Sequence, residues 1–277
     1  MKTYLPFNER RADLLVIWKE MFSELADSRE LIWQLFRRDF LSSYKQSILG
    51  YVWAIVMPLV MVGAFVFLNR SGLVNIGNTS TPYPVYALAG LSVWQIFSSG
   101  LMTCTNSLVM GGGLITKINF PKETLVISAL GQSIFEFIIR ILLLAVVLAV
   151  YGVAPAWTVV FMPLAVIPII LFTIALGFIF SILNGLMRDI GNVLSLAVTF
   201  LLFLTPILYP LPASRIFILA NKINVPGVLV TSTRDILLSG NISQPALFSG
   251  ACIFSLACFI ACWTIFHLVE PIITEKI

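Results

Sequence analysis

Apolar residues recur at every fourth position in one N-terminal segment and then fill an uninterrupted run. The stripe consists of Ile32, Phe36, Phe40 and Tyr44, and charged residues lie off it. Residues 48–68 then carry no charge over about 30 Å of helix, the thickness of a hydrocarbon core. The pattern predicts a basic amphipathic helix in the bilayer interface that continues into a first membrane span. A cationic flank on an ordinary first span is the alternative.

The same pattern predicts an all-α integral membrane protein with a cytoplasmic N-terminal region, 1–46, and a transmembrane domain, 47–277. Its six spans lie at about 47–68, 85–110, 124–150, 157–183, 193–209 and 247–268. Three glycines are expected to end the second span and to open a polar inner segment, 111–123. Residues 213–244 are too polar to cross and favour two short re-entrant helices, with an ordinary outer loop and one surface helix as the alternative.

Composition agrees with this architecture. Of 277 residues, 59% are hydrophobic and 11% are charged, and the mean hydropathy is +0.98. Soluble domains are about one quarter charged, so the chain is expected to be a polytopic membrane protein. A net charge of +4 does not indicate a nucleic-acid partner. The first 28 residues lack the apolar run of a signal peptide, and all four cysteines fall inside apolar spans, which favours packing over disulfides.

The distribution of basic residues predicts the orientation. With the N-terminus inside, 12 of the 17 Lys and Arg residues fall in inner segments and four in outer segments, and Arg140 lies within a span. Because basic residues are retained on the cytoplasmic side, both termini are expected to be cytoplasmic.

The chain offers little for catalysis. No GxxxxGK[ST] phosphate loop occurs, and the only histidine, His267, is expected to be an interface residue at the inner end of the last span. Glu136 and Arg140 are four residues apart, so they are expected to pair. Arg188 and Asp189 are expected to be structural polar residues of a short inner loop. The residues therefore predict no catalytic and no metal site, and leave a passive pore or a partner-driven subunit.

Several ordered blocks resemble the membrane subunits of ABC-type polysaccharide exporters. The blocks are Arg38-Asp39, Tyr44, Ser47, Leu49-Gly50, Trp53 and Pro58-Leu59; residues 114–122; Arg188-Asp189-Ile190; residues 205–210; and residues 224–240 with Arg234-Asp235. The sequence departs from the family pattern at Asn224, which is not followed directly by proline, and at Thr205, where serine is usual.

The resemblance implies a homodimer of six-helix permeases in a bacterial inner membrane, each bound to a separate ATPase subunit that holds ATP and Mg²⁺. O-antigen and related lipid-linked polysaccharide exporters are the nearest group, with capsule and teichoic-acid exporters as alternatives. A membrane enzyme or assembly factor for lipid-linked glycans is the alternative from another class.

The resemblance also gives three sets of site residues. An inner helix is expected to couple to the ATPase through Leu114, Ile115, Lys117, Ile118, Phe120, Pro121 and Lys122, with an ordinary basic inner loop as the alternative. Substrate entry, or contact with anionic headgroups, is expected at Arg37, Arg38 and Tyr44. Aromatics that line a sugar channel, or else anchor span ends or serve in packing, are Tyr51, Trp53, Trp94, Phe97, Phe200, Phe203 and Tyr209.

Overall fold

The computed structural model describes residues 14–45, 52–71, 77, 79, 81–115, 117–210 and 214–274. Within these ranges every regular element is helical. The helices are α1 (Leu14–Asp27), α2 (Arg29–Lys45), α3 (Val52–Arg70), α4 (Tyr83–Ile115), α5 (Glu123–Val150), α6 (Met162–Leu186), α7 (Asp189–Leu204), α8 (Arg215–Ile223), α9 (Val225–Leu238) and α10 (Pro245–Thr274). A 3₁₀ turn, Trp157–Phe161, precedes α6.

Helix α4 is the centre of the bundle and packs mainly against α5 and α6. Small residues such as Gly100 allow this close packing. A Cβ atom added at Gly100 would lie 2.9 Å from Thr173 Cγ2 and 3.0 Å from Leu130 Cδ1. Gly177 of α6 likewise faces Cys104, whose Cβ would be only 2.5 Å from an added Cβ. Backbones approach this closely only where side chains are missing.

Four helices in the described part of the chain are long and apolar enough to span a membrane. They are Tyr83–Ile115, Glu123–Val150, Trp157–Leu186 and Pro245–Glu270. Two further apolar helices, Ile55–Arg70 and Asp189–Leu204, are shorter. The all-helical, membrane-type architecture is confirmed, and the count of six spans stays a prediction.

The predicted helix ends need three corrections. Helix α4 continues through the three glycines to Ile115, so the expected break there is wrong. Gly111 instead makes room for α5, because a Cβ at this position would lie 2.7 Å from Leu125 Cδ1. Helix α7 covers Asp189–Leu204 and not 193–209, since the residue before Pro206 is extended. Helix α10 runs beyond the predicted end at 268 to Thr274.

The N-terminal helices attach to the bundle at one end. The apolar stripe of α2 faces α5: Phe36 packs over Gly131, and the Phe40 ring meets Phe135 edge-on at 4.5 Å. The stripe therefore contacts protein, whereas the sequence predicted a lipid surface. On α1, Phe22 packs edge-on against Trp263 of α10 at 5.0 Å. The predicted junction between α2 and α3, residues 46–51, lies outside the described residues.

Residues 214–244 contain two short helices that pack against the opposite end of the bundle, and their re-entry into the membrane stays a prediction. Helix α9 is largely buried against α4 and α6. Helix α8 is unusual because Leu219 and Ile223 are exposed while the polar Asn221 is buried. We refer to the two ends of the bundle as the α1–α2 end and the α8–α9 end.

Candidate coupling site

A tight turn joins α4 to α5 at the α1–α2 end. The Leu114 carbonyl accepts hydrogen bonds from the N–H groups of Lys117 and Ile118, both at 3.1 Å. Lys117, Ile118 and Asn119 are exposed, and half of the Ile118 surface is accessible. The turn therefore presents one apolar side chain flanked by polar groups.

The rest of the predicted coupling set lies inside the protein. Phe120 and Ile115 are 6% and 7% exposed and belong to the core cluster that contains Phe178 and Trp263. Leu114 and Pro121 are half-buried. The expectation that Phe120 and Ile115 insert into a partner is wrong, because these side chains anchor the turn to its own bundle. The separate short helix expected at this position does not form.

A buried ionic cluster lies directly below this turn. Glu123 Oε1 is 2.7 Å from His267 Nδ1, which joins the start of α5 to α10. The Lys122 N–H donates to Glu270 Oε1 at 3.0 Å, and Lys122 Nζ lies 3.6 Å from the same oxygen. Nζ also donates to the Phe120 carbonyl at 2.8 Å. The sequence predicted that Lys122 would be an exposed flank of the turn. The side chain is instead buried and connects the turn to Glu270 of α10.

The cluster is arranged to hold helices together. Ligand atoms of Glu123, His267 and Glu270 lie within 4.8 Å of one another, close enough for a metal ion. The Lys122 ammonium already supplies positive charge beside Glu270, and the N-terminus of α5 supplies more at Glu123. Because each of these side chains is at most 12% exposed, breaking one contact would strand a charge in a dry environment.

His267 was predicted to be an interface residue and is instead buried, at 7% exposure. The sequence held a usable signal for this. Four ionisable residues lie at the ends of two apolar spans that were expected to be on the same side of the membrane: Lys122, Glu123, His267 and Glu270. Spacing along the chain could not show that these two span ends touch.

The predicted entry residues lie on α2. Arg37 and Arg38 are exposed, and Arg38 pairs with its neighbour Asp39 at 2.8 Å. The side chain of Tyr44 lies outside the described part of the structure. The two arginines remain accessible to an anionic group, although one of them already has a carboxylate beside it.

The predicted channel aromatics divide into two groups. Trp94 and Phe97 are 2% and 3% exposed and pack within the core, so neither lines a surface of this protomer. Trp53, Phe200 and Phe203 are exposed, whereas Tyr209 is half-buried and donates to the Phe203 carbonyl. Burial raises the pKa of the Tyr209 phenol. Tyr51 lies outside the described residues.

The polar residues predicted to be structural behave differently from one another. Glu136 and Arg140 form the expected pair, with 3.2 Å between Oε2 and Nη2. Arg188 and Asp189 are exposed at the turn between α6 and α7. Asn184, which was not identified from the sequence, makes the hydrogen bonds that hold this turn in place.

Asn184 is 2% exposed and connects three elements. Its Nδ2 donates to Asn106 Oδ1 of α4 at 3.1 Å, and its Oδ1 accepts from the Gly191 N–H of α7 at 2.9 Å. Asn184 thereby fixes the start of α7 against α4.

At the α8–α9 end, sequence blocks that are distant along the chain meet. Arg234 lies over the Tyr86 ring, 3.9 Å from its centroid, and donates to the carbonyls of Pro206 and Ile207. Burial lowers the pKa of its guanidinium, and nearby Tyr86 and Asp235 oppose that shift. The two departures from the exporter pattern also touch: Asn224 Nδ2 donates to Thr205 Oγ1 at 2.7 Å.

Comparison with known families explains why the exporter-like sequence blocks follow one another in this order. The model of the ABC-2 type transporter family matches residues 30–238, more than half of the chain. The chain belongs to this family. Its apolar helices and the family membership make it a membrane permease.

Individual ABC-2 relatives carry transport names. The O-antigen export system permease protein RfbA of Myxococcus xanthus is 31% identical over 192 residues, which cover 68% of this chain and 71% of that protein. RfbA of Klebsiella pneumoniae is 29% identical over 219 residues, covering 77% and 82%. The polysialic acid transport protein KpsM of Escherichia coli is 25% identical over 182 residues, covering 64% and 69%.

The region that matches the ABC-2 family includes the turn between α4 and α5, with Lys122 and Glu123 at its end. His267 and Glu270 lie beyond the matched residues. The ionic cluster therefore joins the family region to the last helix.

Proposed function

We propose that this chain is the membrane subunit of an ATP-driven exporter that carries a lipid-linked polysaccharide from the cytoplasm across a bacterial inner membrane. Two copies form the conduit, and two separate nucleotide-binding subunits hydrolyse ATP with Mg²⁺. The observation that carries the proposal is the ABC-2 family match over residues 30–238 together with relatives named as O-antigen permeases.

The O-antigen class is favoured by the two relatives named as O-antigen permeases, at 31% and 29% identity. A capsule-type polymer is the second candidate, because the polysialic acid transport protein is a weaker relative. Teichoic acid is a further alternative, as is a membrane enzyme or assembly factor for lipid-linked glycans.

Coupling to the ATPase is assigned to the exposed part of the α4–α5 turn. Ile118 offers an apolar contact for a cleft on the partner, and Lys117 lies beside it. A push on this turn would reach α5 through Glu123 and α10 through His267 and Glu270. The ionic cluster connects the turn to both helices. The helices would then move as rigid bodies and not bend locally.

The α1–α2 end is assigned to the cytoplasm, because most Lys and Arg residues fall there. The six-span topology then requires α3 and α7 to cross, while α8 and α9 stay at the outer end, packed on protein. This arrangement is supported by the burial of α9 and by the apolar outer surface of α8.

The path of the glycan is assigned to surfaces that face the second copy. Sugar C–H groups stack on aromatic faces, and the exposed rings of Trp53, Phe200 and Phe203 are available for this. Arg37 and Arg38 are assigned to the pyrophosphate of the lipid carrier, with bulk anionic headgroups as the competing partner.

The proposal is tested by the glycan that accumulates in cells lacking this chain. Full-length lipid-linked polysaccharide retained in the cytoplasm, restored to the surface by the wild-type gene, is the expected result. Cells lacking the ATPase partner should show the same retained polymer. Shortened or unassembled glycan would favour the enzyme or assembly factor, and normal surface polymer would contradict the proposal.

A further inference from the structure

A cavity of about 260 Å³ opens at the α8–α9 end, away from the coupling turn. Helices α4, α8 and α9 and residues 206–210 surround it. Its lining is rich in donors and acceptors, among them Tyr86, Asn221, Thr231, Arg234, Asp235 and Ser243. An unusually polar lining in such an apolar chain is the first indication of a ligand.

Asn221 gives the second indication. It is only 7% exposed, and within the described residues its Oδ1 has no hydrogen-bond partner. It lies on α8, where the side chains of Ile218, Leu219 and Ile223 are exposed while this amide is buried. A buried carbonyl oxygen without a donor costs free energy, so the site is suited to a ligand that brings a hydroxyl group.

The charges in the cavity indicate which ligand fits. Arg234 is committed to the carbonyls of Pro206 and Ile207 and to the Tyr86 ring. Its neighbour Asp235 accepts from the Ser243 N–H at 3.1 Å and from the Ser243 hydroxyl. The two opposite charges are adjacent and already satisfied, so the cavity has no net charge with which to select an ion. Hydroxyl and amide groups remain for a neutral, hydroxyl-rich molecule.

We propose that this cavity binds a neutral sugar unit of the exported glycan on the outer side of the bundle. The inference rests on the proposed function and adds a subsite to it. Binding would be weak, since a site on an export path must release what it holds. Asn221 would accept a hydrogen bond from a sugar hydroxyl, and Thr231 would border the occupied space.

Protection of an introduced cysteine tests this. Thr231→Cys lines the cavity, and Ser239→Cys, directly after α9, exposed and outside the lining, is the matched control. Intact cells are treated with a charged, membrane-impermeant methanethiosulfonate, with wild-type labelling subtracted. Cells that synthesise the polysaccharide are compared with cells blocked in glycan synthesis.

We expect Thr231→Cys to react about twofold more slowly when polymer is made, the ratio that occupancy of the subsite for about half of the time would give, and Ser239→Cys to react equally in both. Equal rates at Thr231→Cys, or no reaction there in either cell, would overturn the inference.

A second variant separates the subsite from the fold and from the proposed function. Asn221→Leu removes the unpartnered amide, so we expect it to insert and associate normally but to export several-fold more slowly. Normal export by this variant, with the wild type exporting as proposed, would contradict the subsite alone. Absence of retained glycan in cells lacking the chain would instead contradict the proposed function.

Discussion

Glu123 and His267 are 144 residues apart in the chain, yet Glu123 Oε1 and His267 Nδ1 are separated by 2.7 Å. This contact joins the first residue of α5 to α10 immediately below the exposed turn. The turn is therefore not a free loop, and any displacement imposed on it is shared with the last helix.

Removing one side of this contact should destabilise the protein strongly. Glu123→Ala leaves His267 Nδ1 without its buried hydrogen-bond partner, so we expect the free energy of unfolding in detergent to fall by about 1–3 kcal/mol. Asp39→Ala, which removes an exposed pair with Arg38, should change it by less than about 1 kcal/mol. Equal effects of the two variants would show that the buried contact is not formed.

The double variant Glu123→Leu/His267→Leu distinguishes a role of the contact in stability from a role in passing motion from the turn to α10. Apolar residues at both positions should recover much of the stability lost in Glu123→Ala. Export should remain low if the ionic link passes motion to α10. Full export by a stable double variant would limit the cluster to a structural role.

The exposed part of the turn should dock the ATPase, and its buried part should not. Ile118→Asp is expected to weaken co-purification of the ATPase about tenfold or more without lowering thermal stability, because the side chain is half exposed. Phe120→Ala should instead cost about 3–5 kcal/mol of stability, since this ring is buried in the core. Unchanged association of Ile118→Asp would place docking elsewhere.

Asn224 should contribute to stability through two separate bonds. Its Oδ1 accepts from the Gly227 N–H at 3.0 Å and caps α9, while its Nδ2 donates to Thr205. Asn224→Ala should therefore cost about 2 kcal/mol, from a cap and a buried hydrogen bond of about 1 kcal/mol each. Asn224→Asp keeps the cap acceptor and should lose less. Chemical unfolding of the purified variants measures both, and equal losses would contradict the two-bond account.

Close packing of α4 on α6 should make Gly177 intolerant of a methyl group. The added Cβ would meet Cys104 Cβ, which is fixed to the backbone, so Gly177→Ala should destabilise by about 1–3 kcal/mol. Gly113→Ala on α4 meets open space and should be neutral or stabilising by up to about 1 kcal/mol. Thermal unfolding of the pair is the measurement, and similar melting temperatures would refute the packing.

Local patterns in the sequence predicted the local structure well. Spacing of four placed Glu136 against Arg140. The apolar stripe of α2 was predicted to meet lipid, but its Phe36 and Phe40 pack on α5. The glycines at 111–113 misled, because a glycine that ends a helix and one that admits a neighbouring helix look alike in sequence. Gly111 is of the second kind, and only the position of Leu125 shows it.

Contacts between distant segments could not be predicted in the same way. Phe120 was expected to face a partner because apolar residues near a turn suggest a docking surface. Its side chain is instead buried in the core of its own bundle. For Trp94 and Phe97 the structure favours the alternative role in packing, because both rings are buried in the core. The sequence shows that an aromatic lies in a span but not whether that span is central. The Asn221 cavity arises from three separate helices and left no local pattern.

The central claim is that this chain forms a conduit whose driving force comes from a separate ATPase docked below it. Transport of lipid-linked polysaccharide in reconstituted vesicles tests it most directly. The complete complex should transport only with ATP, while the purified chain alone should neither hydrolyse ATP nor move polymer. Hydrolysis by the chain alone, or equal transport without the second subunit, would contradict the account.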